Sequence, residues 1–205
     1  MRIFRGLIPV LPAALFFAFS AHAQIGFEVH GLAAFEFDGE ASAFGDHRVR
    51  SGPGGGASFF FAFIPAFRVE VGADWIETRD RDLADSRIRI VPLTAAFRAG
   101  HNFGDLFLYL GGGLGYAVND LSPSREAARQ YGESGFSELG LSNVPVYFAL
   151  AGAELVLSEN LGVRLEYRYN RLRSDITYQD WRGFEAKEKF RLDHQQVRAG
   201  LAVYF

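Results

Sequence analysis

The sequence predicts an all-β chain, folded as an eight-stranded antiparallel up-and-down transmembrane β-barrel, on three observations. Apolar and polar residues alternate with period two in eight stretches. The alternation is plain in the last stretch, where Val197, Ala199, Leu201, Val203 and Phe205 share one face and His194, Gln196 and Arg198 the other. The connections between stretches alternate short and long. Charged residues within the stretches fall on one face and the other face is apolar, the polarity of a barrel surrounded by hydrocarbon. A soluble eight-stranded barrel such as a lipocalin requires the reverse. A strand with one apolar face cannot lie in lipid alone, because its edge amides would have no partners; closure into a barrel satisfies them.

Residues 1–23 read as a secretory signal peptide. Arg2 and Arg5 precede an apolar run from Gly6 to Phe19, and Ala21-His22-Ala23 supplies a cleavage site before Gln24. The run is too short to cross a bilayer as a helix, which takes about 20 apolar residues. Residues 24–205 are then one outer-membrane β-barrel domain, exported with cleavage after Ala23. The longest apolar run elsewhere, Phe59 to Phe67, is interrupted by Pro65. Cysteine is absent, so neither a disulfide framework nor a lipoprotein anchor is available. Removing Arg2 and Arg5 takes the 21 basic residues to 19 against 24 acidic ones, a net charge of −5 that argues against nucleic acid as a partner. The 21 phenylalanines require an apolar environment.

In chain order, the first strand covers about Gly26–Asp38, with Phe27, Val29, Ala33, Phe35 and Phe37 on the apolar face. A Gly- and Ser-rich loop, Gly39–Gly54, leads to the second strand, Gly55–Ile64. Pro65-Ala66 makes a tight connection to the third, Phe67–Ile76, where Val69, Val71, Ala73 and Trp75 oppose Arg68, Glu70 and Asp74. The charged stretch Glu77–Ser86 reads as a solvated loop. In the fourth strand, Arg87–Ala99, Ile88 and Ile90 are out of phase with Leu93, Ala95 and Phe97, which predicts a bulge near Pro92. After a turn at Gly100–Asp105, the fifth strand, Leu106–Val118, carries Gly111, Gly113 and Gly115 on its inner face, where they admit large neighbouring side chains. The long connection Asn119–Asn143 is predicted to hold a helical turn at Pro123–Gln130, capped by Ser122. The sixth strand is Val144–Leu157, the seventh Leu161–Arg173 after a tight turn, and a polar loop, Ser174–Lys189, leads to the closing strand.

This parity places Arg68, Arg98, Arg164, Arg168 and Arg198 in the lumen with Glu28, Glu36, Glu70, Asp74, Glu154 and Glu166. A selective pore is expected to show rings of one sign. A near-balanced set inside a barrel only wide enough for its own side chains implies mutual pairing and a plugged interior. Glu154 and Arg164 are equidistant from the Glu159 turn, which predicts a cross-strand pair. Outward aromatics, Phe27, Phe67, Phe97 and Phe205 at the turn end and Trp75, Tyr116, Tyr147 and Tyr169 at the loop end, predict two interfacial girdles.

Four stretches, Val91-Pro92-Leu93-Thr94, Leu108 to Tyr116, Asn160 to Tyr169 and Gly200 to Phe205, resemble the small outer-membrane β-barrel superfamily of opacity proteins and OmpA-type transmembrane domains. The resemblance covers the whole of residues 24–205. It implies outer-membrane lipid as the surroundings, recognition of the C-terminal strand by the barrel insertion machinery, and an extracellular ligand or host surface as partner. It carries over no peptidoglycan-binding domain. A monomer is expected, since a closed barrel has no edge to pair.

The function expected is a structural or surface-interaction role, with loops presented outside the cell on a plugged barrel. Tyr131, Phe136, Tyr178 and Trp181 are the candidate loop anchors. A narrow porin-like channel for small solutes is the alternative, and a lipid A-modifying enzyme a second one. Enzymatic chemistry needs a nucleophile beside a base. His30 and His194 both point inward, at different heights and with no serine alongside on their own strands, so no catalytic residue is assigned. No pair of histidines has metal-ligand spacing, and neither a metal nor a cofactor is expected.

Overall fold

The computed structural model describes residues 24–41, 45–47, 49–80, 85–126, 128–129, 136–180, 182 and 185–205, so the predicted signal peptide lies outside the described residues. Eight long strands make the barrel: β1 (Gln24–Ala41), β3 (Gly52–Ile64), β4 (Phe67–Asp80), β5 (Ser86–Phe103), β6 (Leu106–Ser122), β8 (Val144–Ser158), β9 (Leu161–Asp180) and β11 (Asp193–Tyr204). Three short strands stand at the long-loop rim: β2 (Gly45–His47), β7 (Phe136–Leu141) and β10 (Glu185–Arg191). Each long strand pairs antiparallel with its neighbours, and β1 pairs with β3 on one side and β11 on the other, which closes the sheet. Short turns at Pro65-Ala66, Gly104-Asp105 and Glu159-Asn160 share one rim with both ends of the barrel domain.

The strands overrun the limits read from composition. Part of the charged stretch Glu77–Ser86 belongs to β4 and β5, the β5–β6 turn shrinks to Gly104-Asp105, and the polar stretch Ser174–Lys189 is the β9–β10 hairpin, in which Lys187 pairs with Thr177 and Lys189 with Asp175. β7 adds to the other edge of β9, with Leu139 opposite Tyr178. The inward positions explain this. Ile76, Ile88, Ile90, Ile176 and Phe190 are buried inside the rim, so the sheet continues around an apolar interior while its outer face carries the charges that resemble a loop. Residues 125–126 and 128–129 are helical, and the Ala128 amide donates to the Ser124 carbonyl at 2.8 Å.

The bulge expected near Pro92 is not there. Ala73 pairs with Leu93 and Ile76 with Ile90 at the same offset, so the register of β4 and β5 passes through Pro92 unbroken. Ile88 and Ile90 are out of phase because they face the interior, not the lipid. An irregularity that changes parity lies instead in β1, whose register against β11 shifts between Phe35 and Asp38, with Glu36 at a φ of 51°. The inserted residue reverses the parity beyond it. Phe37, expected outside, is buried and stacks on His194 with ring centroids 4.7 Å apart; Glu36, expected inside, is on the outer surface bonded to Gln195.

The interior is therefore layered. Nearest the short turns, Phe60, Phe107 and Tyr204 are buried. Above them come charged side chains, and above these an apolar plug containing Leu32, Phe37, Ile76, Ile88, Ile90, Leu172, Ile176 and Leu192. Because Ile90 is wholly buried there, Ile90→Ala is expected to lower the stability of the folded barrel by about 2–5 kcal/mol. Urea unfolding in lipid vesicles measures this, and an unchanged midpoint would mean that the plug packs loosely.

Candidate functional site

The lumen-facing residues of β1, β4, β5, β8, β9 and β11 meet in one charged layer. Ten of the eleven residues predicted for it are at most 6% exposed: Glu28, Arg68, Glu70, Asp74, Arg98, Glu154, Arg164, Glu166, Arg168 and Arg198. With Glu36 outside, the layer holds five arginines and five carboxylates.

The contacts form a continuous mesh. Glu154 is the register partner of Arg164 on β9 and accepts from its Nε at 2.8 Å and Nη2 at 2.6 Å. Arg68 donates to the other Glu154 oxygen at 2.6 Å, where the Tyr204 hydroxyl also donates. Arg164 reaches across the barrel to Glu28 and, at 3.2 Å, to Glu70. Glu70 also takes Arg168 at 2.9 Å and pairs with Arg98. Glu166 accepts from Arg98 at 3.0 and 2.7 Å, from the Tyr109 hydroxyl at 3.0 Å, and from Arg168. Arg198 and Asp74 pair above them. His30 lies between Asp74, 2.7 Å from its Nε2, and Glu28, 3.3 Å from its Nδ1.

Aromatic rings support the guanidinium groups. Arg68 lies 4.2 Å from the centroid of Phe107, Arg168 4.6 Å from Phe148, Arg164 4.9 Å from Phe60 and Arg98 5.2 Å from Tyr109. Such contacts gain when both groups are out of water. These inward aromatics escape a reading that assigns Phe and Tyr to the lipid face, although the period of two was enough to find them, since Phe60, Phe107, Tyr109, Phe148 and Tyr204 all hold inward parity. The glycines opposite create the room. Gly113 is the register partner of Phe148, and a Cβ there would collide with its ring. Gly152 lies between its register partners Tyr109 and Glu166, and the tyrosine ring crosses over it to reach the carboxylate.

The outward aromatics occupy the lipid side. Phe67, Trp75, Phe97, Tyr116, Tyr147, Tyr169 and Phe205 are between 39% and 77% exposed, and Phe27 is half-buried against Phe59. Trp75 and Tyr169 end the apolar outward runs of their strands, with Glu77 and Arg171 next. Of the candidate anchors, Tyr131 and Trp181 lie outside the described residues; Phe136 and Tyr178 are in strands β7 and β9, not in loops. His194 is buried on Gln196 and the Leu192 carbonyl, and the β11 partner of His30 is Gly200, so the two histidines sit at different heights. Among the described residues no group of three or more His, Asp or Glu side chains is arranged to hold a metal ion.

Removing one member of a buried charge network strands its partners at about 3–5 kcal/mol. Glu154→Ala, which leaves both Arg68 and Arg164 short of a carboxylate, is expected to cost that much in equilibrium unfolding, whereas Glu154→Gln, which still accepts, costs less. Gly152→Ala pushes Tyr109 off Glu166 and is expected to cost about 1–3 kcal/mol. The same unfolding assay reads both; wild-type stability in Gly152→Ala would show that the ring has room to move.

The family profile described as "Outer membrane protein beta-barrel domain" matches residues 10–205. A search of curated proteins finds no match. Among solved structures, the chain is similar to the outer membrane protein OprG of Pseudomonas aeruginosa, at 16% identity and a TM-score of 0.72, covering 90% of this chain and 96% of that one. It is also similar to Outer Membrane Protein W of E. coli, at 16% identity and a TM-score of 0.55 over 90% and 99% of the two chains. Neisserial surface protein A follows at 14% identity and a TM-score of 0.55 over 89% and 97%. At these identities the structures share the fold. With the profile spanning nearly the whole chain, this protein belongs to the outer-membrane protein β-barrel domain family and resides in the outer membrane.

Proposed function

We propose that the protein is a structural or surface-interaction barrel, a rigid plugged cylinder that carries a sheet-built rim outside the membrane. The observation that supports this is the filled lumen: five arginines and five carboxylates bonded to one another beneath a layer of buried aliphatic and aromatic side chains. In outer-membrane barrels the short turns face the periplasm and the longer connections the exterior. That orientation puts β2, β7, β10 and the upper part of β9 outside. They form hydrogen-bonded sheet, which presents a fixed surface to an extracellular ligand or host surface. Closure leaves no unpaired edge among the eight barrel strands, in keeping with a monomer, and the alternating strand β11 is the segment offered to the insertion machinery.

The same reading makes the protein a non-enzyme. His30 is engaged by two carboxylates and His194 by a backbone carbonyl, so neither is held against a nucleophile. Hydrolysis of purified lipid A by the folded barrel would overturn this.

Planar-bilayer recording tests the plug. Refolded protein, verified by the shifted gel mobility of the unboiled barrel, is expected to give no steady unit conductance. A steady conductance that changes on Arg164→Gln or Glu70→Gln would instead establish the narrow channel.

A further inference from the structure

On the outer face of the barrel, just above the apolar belt, Pro145, Tyr147, Arg171 and Arg173 line an open pocket of about 390 Å³. This lies within the ~300–1,000 Å³ typical of small-ligand clefts. The outward run of β9 reads Val163, Leu165, Tyr167, Tyr169 and then Arg171 and Arg173, so the two arginines are the first charges above the lipid-facing residues. Tyr147 is the register partner of Arg171 across the β8–β9 pair.

What distinguishes the pocket is that two arginines stand together with no carboxylate among its described lining residues. On the far side of the barrel the comparable arginines are answered: Arg87 lies 3.2 Å and Arg89 3.9 Å from Glu77, and Arg50 lies 3.1 Å from Asp85. Among the described residues Arg171 and Arg173 form no ion pair. β8 offers them proline and tyrosine, and on the other side Arg191 stands directly opposite Arg173. The nearest acid on that face of β9, Asp175, is two positions further up and opposes Lys189.

We propose that this pocket binds the phosphorylated headgroup of an outer-leaflet lipid. Arg171 and Arg173 grip the phosphate oxygens through their planar forks, Tyr147 and Pro145 form an apolar wall beside the headgroup, and the acyl chains descend past Tyr169 and Tyr167. The position commits the site to a lipid and not to soluble phosphate, because an occupant held at the top of the apolar belt has hydrocarbon directly beneath it.

Native mass spectrometry of the refolded barrel in detergent, with diphosphoryl lipid A added, tests the assignment. Wild-type protein is expected to retain the lipid as a stoichiometric adduct. Arg171→Gln/Arg173→Gln should weaken retention about thirtyfold, since each arginine near a membrane surface contributes about fivefold. Arg87→Gln/Arg89→Gln should leave it unchanged. Lipid A stripped of its phosphates should be lost equally from all three. The two single variants are measured as well, each expected to lose part of the retention, so that misfolding of the double variant still leaves a result. Equal retention by wild type and the arginine variants, or equal retention of phosphorylated and dephosphorylated lipid, overturns the proposal. Displacement by millimolar inorganic phosphate would show a soluble-phosphate site and overturn the lipid assignment.

Discussion

Within hydrocarbon, a backbone amide without a partner costs several kcal/mol, so a sheet can cross a bilayer only if it has no edge. Here β1 meets that requirement by pairing from Gln24 to Ala34 with β3 and from Gly26 to Phe35 with β11. Other features follow from this closure. It separates an outer face that must be apolar from an inner face that lipid cannot reach, and with eight strands it leaves an interior only about as wide as the side chains pointing into it.

That narrowness determines how the charges behave. Arginines and carboxylates on inward positions cannot keep their hydration in so tight a space, and each is bonded to an opposite charge from another strand. Glu70 and Glu166 each serve two or more arginines, and Arg164 spans from β9 to carboxylates on β1, β4 and β8. A buried ion pair is a poor source of net stability, but its geometry is demanding. The mesh therefore ties strands that are remote in sequence to a single arrangement, and the aromatic rings beneath the guanidinium groups and the glycines opposite those rings complete the packing.

Above the mesh the interior becomes apolar while the exterior becomes charged, a reversal of the polarity at bilayer height. The reversal follows from the change of surroundings. Outside the membrane the sheet has water on its outer face, so Glu77, Arg87 and Arg89 can stand there in pairs, and Ile76, Ile88 and Ile90 bury themselves within. The part of the molecule at bilayer height thus obeys the rule of a membrane barrel and the rim that of a soluble one. Arg171 and Arg173 stand where the two rules meet.

Periodicity alone carried the fold class, the eight barrel strands, the tight turns at Pro65 and Glu159 and, Glu36 apart, the inward parity of the charged residues, because each depends on a period of two that survives any packing. The cross-strand pairing of Glu154 and Arg164 was legible for the same reason, from equal distance to one turn. Tertiary structure decided what parity cannot carry. The bulge at Glu36 turned Phe37 inward, and a local shift of one residue leaves no mark in composition. The upper part of β9 and most of β10 read as loop because charge resembles a sign of irregular backbone, when it reflects only water on the outer face. Which carboxylate each arginine chose depended on the distance across the closed barrel, and the pocket at Arg171 depended on β8 setting Pro145 and Tyr147 beside it. Those are relations between strands, and they come into being only when the sheet closes.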